Sequence, residues 1–193
     1  MNLLVLGPQG SGKGTQAARI AAERGIPHVS TGEMFRSAIE AGTELGRKVE
    51  PILSSGELVP DDLTIALIRE RLSRPDAGRG FVLDGFPRNI HQAEALDAML
   101  AEIGRHLDAV LFFDLDDETA IERLRGRAHD EDREDDTPEV IARRLQIYHD
   151  QTEPVVELYR ATGKLVPLRA ERTIGEVAAE IGEALDLLEG AAA

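Results

Sequence analysis

The 193 residues predict an α/β fold: a doubly wound, five-stranded parallel sheet flanked by helices, built around a glycine-rich loop. Three observations carry that expectation. Short apolar runs rich in Leu and Val alternate with longer stretches of helical spacing, as a parallel sheet with crossover helices requires. The first apolar run leads directly into a glycine-rich loop. A later run ends in a carboxylate, Asp84, followed by the turn Gly85-Phe86-Pro87-Arg88. Loops at the carboxyl ends of such strands share one crevice, and ligands bind there.

Asn2-Leu3-Leu4-Val5-Leu6 reads as a strand covered on both faces. Gly7-Pro8-Gln9-Gly10-Ser11-Gly12-Lys13-Gly14-Thr15 follows with the spacing G-x-x-x-x-G-K of a phosphate cradle. Position 14 departs from the usual hydroxyl, which arrives one residue later at Thr15. The glycines let successive N–H groups turn towards an anion. A helix over Thr15 to Arg24, stopped by Gly25, adds its N-terminal dipole. Lys13 offers a compact charge, and Thr15 an oxygen for phosphate or Mg²⁺. A ligand-free glycine turn is the alternative, and the agreement of strand, loop, lysine and helix disfavours it.

Pro27 to Ser30 is a short second strand. Helices are expected from Thr31 to about Ala41, from Glu44 to Ser54, and from about Leu63 to Leu72 behind a Pro60-Asp61-Asp62 cap. Ser55-Gly56 is a turn, and Pro75 to Gly80 a loop. Gly80 to Asp84 is the third strand. Ile90, Ala93, Leu96, Met99 and Leu100 give Asn89 to Gly104 one apolar helical face. Asp108 to Leu115 is the most strand-like run. Asp117 to Gly126 is helical, and Pro138 to Ala161 forms a long helix bent near Pro154. Lys164 to Leu168 is the fifth strand, at an edge or ending at Pro167. Thr173 to Leu188 is the last helix, with Gly190 to Ala193 expected to fray. No internal repeat is present.

Composition narrows the function classes. The length suits one domain with a full core. Cysteine is absent, which excludes disulfides, thiolate chemistry and cysteine-bound zinc and fits a reducing compartment. A net charge of −14 argues against duplex nucleic acid as a partner. A local group of Arg and Lys can still attract an anion. No apolar run is long enough for a bilayer, and the first is too short for a secretory signal, so no membrane association and a cytoplasmic location are expected.

Three stretches together, Gly7 to Thr15, Ser30-Thr31-Gly32-Glu33-Met34-Phe35-Arg36, and Leu83-Asp84-Gly85-Phe86-Pro87-Arg88 followed by Gln92, resemble the adenylate kinases among the nucleoside monophosphate kinases. The similarity covers nearly the whole chain, and D-G-F-P-R is far more specific than the phosphate loop. The resemblance implies reversible phosphoryl transfer from Mg-ATP to AMP, giving two ADP. It implies ATP, AMP and ADP as ligands, Mg²⁺ without structural zinc, and a monomer. It also implies one kinase domain over 1–193, with a monophosphate-binding insertion at 30–59 and a short lid at 127–137.

The site residues follow from the same resemblance. Gly10, Ser11, Gly12, Lys13, Gly14, Thr15, Arg123, Arg127 and Arg172 would hold ATP. Thr31, Arg36, Glu57, Leu58, Val59, Gly85, Phe86, Pro87, Arg88 and Gln92 would hold AMP. Arg133 and Arg144 would bridge the phosphates, and Lys13, Arg88, Arg127, Arg133 and Arg144 would be catalytic. Asp84 would orient the waters of Mg²⁺. The residues support this independently. Two anionic nucleotides held end to end require positioning and positive charge rather than covalent chemistry. Guanidinium forks suit phosphate oxygens. Each arginine also has a plainer reading as a solvated helix residue in an i,i+4 pair. That reading is weakest for Arg88 and strongest for Arg123 and Arg144, where Arg143 competes. The family pattern selects Arg144, directly before Leu145. Thr31 also reads as a helix cap, and Gln92 as a solvated first-turn residue. A Gln amide does offer the donor and acceptor that an adenine edge needs.

Two departures from the family stand out. Gln9 occupies a position where the commoner loop has Pro. Only ten residues separate Arg127 from Pro138, too few for a lid domain. His129 there is a lone histidine among carboxylates, and zinc needs a larger set. Asp130, Glu131, Asp132, Glu134, Asp135 and Asp136 read mostly as a solvated surface, with Asp135 or Asp136 expected to orient an arginine. A UMP or CMP acceptor is the main alternative, and Ser30-Thr31-Gly32 with Gln92 argues against it. A nucleotide-binding switch would need neither the arginines nor a second pocket.

Overall fold

The computed structural model describes residues 1–130 and 137–192, and only the backbone of 127–130 and 191–192. Its strands are β1 (Asn2–Leu6), β2 (His28–Ser30), β3 (Phe81–Asp84), β4 (Ala109–Asp114) and β5 (Leu165–Arg169). All neighbours run parallel, in the order β2-β3-β1-β4-β5. The chain therefore builds to one side of β1 and then to the other. The loops after β1, β2 and β3 lie around that reversal, where an α/β crevice forms.

Side-chain alternation along β1 feeds two cores. Leu3 and Val5 join α1 (Lys13–Arg24) and α9 (Ile174–Ala192) on one face, with Phe113 and Ile181. Leu4 and Leu6 join α5 (Ile90–Glu102) and α8 (Glu153–Ala161) on the other, with Phe81, Leu96 and Tyr159. Leu3, Leu4 and Leu83 are fully buried, each a gain of about 1.5–3 kcal/mol over exposure. A third, smaller cluster is separate: Phe35, Val49 and Val59, flanked by Ile39, Leu45 and Leu53. It joins α2 (Thr31–Glu40) and α3 (Glu44–Ser54) to the start of α4 (Asp61–Leu72). Gly46 lets α2 and α3 meet, because a Cβ there would stand 2.1 Å from the Ala38 carbonyl oxygen.

Several boundaries differ from the expectation. α1 starts at Lys13, two residues early, because Gly12 at φ 80° already closes the loop. α4 starts at Asp61; Pro60 precedes it and provides no side-chain cap. The long helix is not simply bent at Pro154. α7 (Pro138–Ile147) opens into a π turn at Tyr148–Thr152, and α8 resumes at Glu153. Proline lacks an N–H and crowds the carbonyl four residues back, and the widened turn just before Pro154 accommodates both. There the Glu153 N–H reaches the Tyr148 carbonyl. β5 continues through Pro167 to Arg169, which its edge position permits. At the start of α9, Thr173 and Glu176 cap each other. That helix runs to Ala192, beyond the end placed at Leu188, since Gly190 costs only about 1 kcal/mol and alanines follow. No described helix is long and apolar enough to cross a membrane.

Candidate active site

The phosphate loop is shaped by its glycines at two points. Gly12 takes φ 80°, and a Cβ on Gly10 would stand 2.8 Å from the Ala120 carbonyl oxygen. The Lys13 ammonium donates to the Pro8 carbonyl at 3.0 Å, bending back over the loop. Position 14 faces Asp84: a Cβ on Gly14 would lie 3.4 Å from Oδ2. Asp84 thus sits beside the first turn of α1, at the end of β3 and opposite Val5. It is buried, and burial alone would raise its pKa. The His28 ring, whose Nε2 stands 3.6 Å away, and the charges of Lys13 and Arg88 outweigh that and hold the carboxyl below its ordinary range.

The turn after Asp84 is tied down on every side. Thr31 Oγ1 donates to the Gly85 carbonyl at 2.9 Å. Thr31 is therefore not the cap of α2; Ser30 is, accepting from the Glu33 N–H. The Arg88 guanidinium folds back, its Nε donating to Gly85 at 2.9 Å. Thr152, inside the π turn, donates to the Arg88 carbonyl at 2.8 Å. Burial pushes the Arg88 pKa down; Asp84 opposes that shift, and the nearby Arg144 and Arg36 add to it. The Arg36 guanidinium lies over Gly32, its Nη1 3.3 Å from where a Cβ would be. Arg36 and Arg144 therefore gather around Arg88, and Asp84 is its counter-charge. Arg143 and Arg144 part company: Arg143 leaves the site for Glu57, 2.7 Å away, while Arg144 lines the cavity.

Gln92 is not solvated. It is 2 % exposed, and its amide already has two partners: Oε1 accepts from the Arg88 N–H at 2.8 Å, and Nε2 donates to Asp61 at 2.7 Å.

Three cavities line up across these residues. The first is bounded by Thr31, Leu58, Val59, Arg88 and Gln92, with Glu57 at its edge. The second is lined by Gln9, Lys13, Pro87, Arg88 and Arg144. It shares Leu58, Gly85 and Arg88 with the first. The third, wider than either, opens against Gly10, Ser11, Gly12, Thr15, Arg123 and Arg172.

Most residues singled out from the sequence therefore border these three cavities, the first two of which are continuous. Phe86 does not: it is fully buried in the core with Leu83 and Leu96, since the turn directs its apolar ring inward. The side chain of Arg127, and Arg133, His129, Asp135 and Asp136 with the rest of 127–136, lie outside the described side chains; of the expected lid only Thr137 is described in full, and it caps α7. No sequence signal pointed to Ala170, Glu171 and Ile174 in the third cavity. Arg123 places them, donating to the carbonyls of Ala170 at 2.8 Å and Glu171 at 3.2 Å. Gln16, read only as a helix residue, ties α1 to the Ile174 carbonyl at 2.8 Å. These are backbone contacts across more than forty residues of chain, and no motif records them.

Comparison with known proteins agrees with this geometry. The family profile described as adenylate kinase matches residues 5–164. An adenylate kinase of Stenotrophomonas maltophilia strain K279a is 48 % identical over 181 residues, which is 94 % of this chain and 97 % of the relative. Adenylate kinases of Xanthomonas campestris pv. campestris strain 8004 and Xanthomonas axonopodis pv. citri are each 46 % identical over 185 residues, 96 % of this chain and 99 % of the relatives. With the phosphate loop, the D-G-F-P-R turn and the parallel sheet all in place, the chain belongs to the adenylate kinase family.

Proposed function

We propose that this enzyme transfers the γ-phosphoryl group of Mg-ATP reversibly to AMP, giving two ADP. One observation carries the reading. Two cavities flank a cationic middle: Thr31, Val59 and Gln92 border one, Arg123 and Arg172 border the other, and Lys13, Arg88 and Arg144 lie between. In this reading AMP takes the first and ATP the third, so that their phosphates meet in the second. Lys13, Arg36, Arg88 and Arg144 then neutralise charge on the migrating group and hold donor and acceptor in line. The loop N–H groups of Gly10 to Thr15 cradle the ATP phosphates. By the family pattern, Arg127 and Arg133 of a short lid at 127–137 complete the ring, and the 30–59 segment closes on AMP, excluding water from the transfer.

Mg²⁺ belongs to this reading through Asp84. Among the described residues no three His, Asp or Glu side chains form a cage. One ionised carboxylate beside the phosphate loop fits a cation that keeps its waters and takes its other ligands from phosphate. Bound there, Mg²⁺ would supply charge neutralisation on the nucleotide phosphates. We further take the enzyme to be a cytoplasmic monomer, on the lack of cysteine and on family expectation.

A coupled assay with ATP and a panel of AMP, GMP, UMP and CMP tests the reading. AMP is expected to be preferred by orders of magnitude, with ATP hydrolysis slow when no acceptor is present. Equal turnover of UMP or CMP would overturn the acceptor assignment. Fast hydrolysis indifferent to AMP would overturn transfer itself.

A further inference from the structure

Asp61 has no role in the site as read so far, yet it bonds to Gln92 and to two of that residue's neighbours. It stands in the first turn of α4, thirty-one residues before Gln92. Its Oδ1 accepts from Gln92 Nε2 at 2.7 Å and from Asn89 Nδ2 at 2.9 Å. Its Oδ2 meets the His91 ring Nδ1 at 2.9 Å. The side-chain bonds of His91, Asn89 and Gln92 outweigh partial burial and keep the carboxyl ionised below its ordinary range. An ionised carboxylate only accepts. On the opposite side of the Gln92 amide stands the Arg88 N–H, which only donates, at 2.8 Å. The orientation of an amide is usually ambiguous, but here its two neighbours fix it. The oxygen must face Arg88 and the nitrogen must face Asp61.

We infer that Asp61 is a specificity-determining positioning residue: by locking the polarity of the Gln92 amide, it sets which purine the acceptor pocket reads. The inference rests on the acceptor reading of that pocket. After its two internal bonds the amide keeps one lone pair and one N–H. Because the amide cannot turn over, these two groups keep their places. An adenine edge offers the matching pair, an amino donor at position six and an acceptor at N1. Hypoxanthine has nearly the same shape with both reversed, a carbonyl at six and a proton on N1. Accepting it would require the amide to flip, with its oxygen against the Asp61 carboxylate and its NH₂ against the Arg88 N–H. Leaving buried polar groups opposed in this way is how hydrogen-bonding sites reject near-isosteres. Asn89 supports the arrangement, capping α5 through the Gln92 N–H at 2.9 Å while holding Asp61. Asp61 touches no substrate in this account; it acts through Gln92.

The test compares AMP with IMP as acceptors, with ATP as donor, in wild type, Asp61→Leu, Asp61→Asn and Gln92→Leu. The readout is the ratio of kcat/KM for the two acceptors on one preparation. Any misfolded fraction cancels from that ratio. Asp61→Leu cannot accept, so the AMP preference should fall by about tenfold or more while the KM for ATP stays unchanged. Asp61→Asn keeps a carbonyl acceptor and should hold the wild-type ratio within about threefold. Gln92→Leu should abolish the preference. An Asp61→Leu ratio equal to wild type overturns the inference. So does an Asp61→Asn ratio as low as that of Asp61→Leu, because charge or shape would then be responsible. Unchanged AMP kinetics in Gln92→Leu would instead overturn the acceptor reading of the pocket, a different failure.

Discussion

Arg88 is held on three sides by the protein itself. Its Nε is anchored on Gly85, its backbone N–H on Gln92 and its carbonyl on Thr152. Pre-organisation of this kind removes the entropy cost of gathering cations during the reaction. Asp84 is the counterpart that makes the cluster tolerable, and it titrates accordingly. Its pKa is depressed on folding, so ionisation of Asp84 stabilises the native state above about pH 4, the value of a free Asp, and this contribution disappears as pH falls through the folded value. In Asp84→Asn, Mg²⁺-dependent kcat/KM at pH 7 should drop about 10–100-fold, the usual effect of losing a group that orients a metal's ligands. The stability of wild type relative to Asp84→Asn, from urea midpoints, should shrink between pH 6 and pH 3. Equal turnover, or a pH-independent difference, would count against both roles. Asp84 and Arg88 were legible in the sequence because a strand end followed by a tight turn leaves few places to point. Asp61 was not: its partners are 28 to 31 residues away, and a carboxylate in a first helical turn has an ordinary explanation.

The helices α2 and α3 pack chiefly on one another. They share a small cluster around Phe35, Val49 and Val59, apart from the two sheet cores. A cluster of that size provides modest stability, so close backbone packing matters. Gly46 supplies it, with the Ala38 carbonyl where a methyl would otherwise be. In Gly46→Ala the contact is with backbone and cannot be relieved by a rotamer change. Overpacking of this kind costs about 1–3 kcal/mol, and the strain falls on the α2–α3 pair. The expected result is a rise of about tenfold or more in the KM for AMP with little change in the KM for ATP, since that 1–3 kcal/mol is confined to the elements beside the first cavity. A parallel rise in both constants would show that the two helices are not energetically separate from the sheet. The helices themselves were readable from spacing, and the need for glycine at 46 was not, because it depends on a carbonyl eight residues away across the α2–α3 contact. The π turn at Tyr148–Thr152 was hidden for a similar reason. Pro154 signals a disturbed helix, but whether the chain kinks or widens depends on what the freed groups can reach, and here Thr152 reaches Arg88.

At the scale of the whole molecule the charge pattern is divided. The chain carries −14 overall, yet Lys13, Arg36, Arg88 and Arg144 converge at the carboxyl ends of β1 and β3. The general acidity repels anions from most of the surface, and the cations concentrate attraction in the groove. That contrast was only half legible: composition gives the net charge, and only the strand order β2-β3-β1-β4-β5 brings the arginines together. It also makes a prediction for the two flanking cavities jointly. Two adenosines joined by five phosphates should occupy both ends at once and bridge the cationic middle. Such a ligand has contacts that neither ATP nor AMP has alone. At 100 times its Kd, a ligand bound only by the native state adds about 2.7 kcal/mol, which for a chain of this length is roughly 5–11 °C in Tm. At equal micromolar concentrations the bisubstrate compound should therefore shift Tm by several degrees more than ATP or AMP. The excess should diminish between 20 and 300 mM NaCl as the cation–phosphate contacts are screened, an interval over which the Debye length falls from about 20 Å to about 6 Å. If it stabilised the protein no more than ATP does, the two cavities could not be filled together. The phosphates would then have no common meeting place beside Lys13.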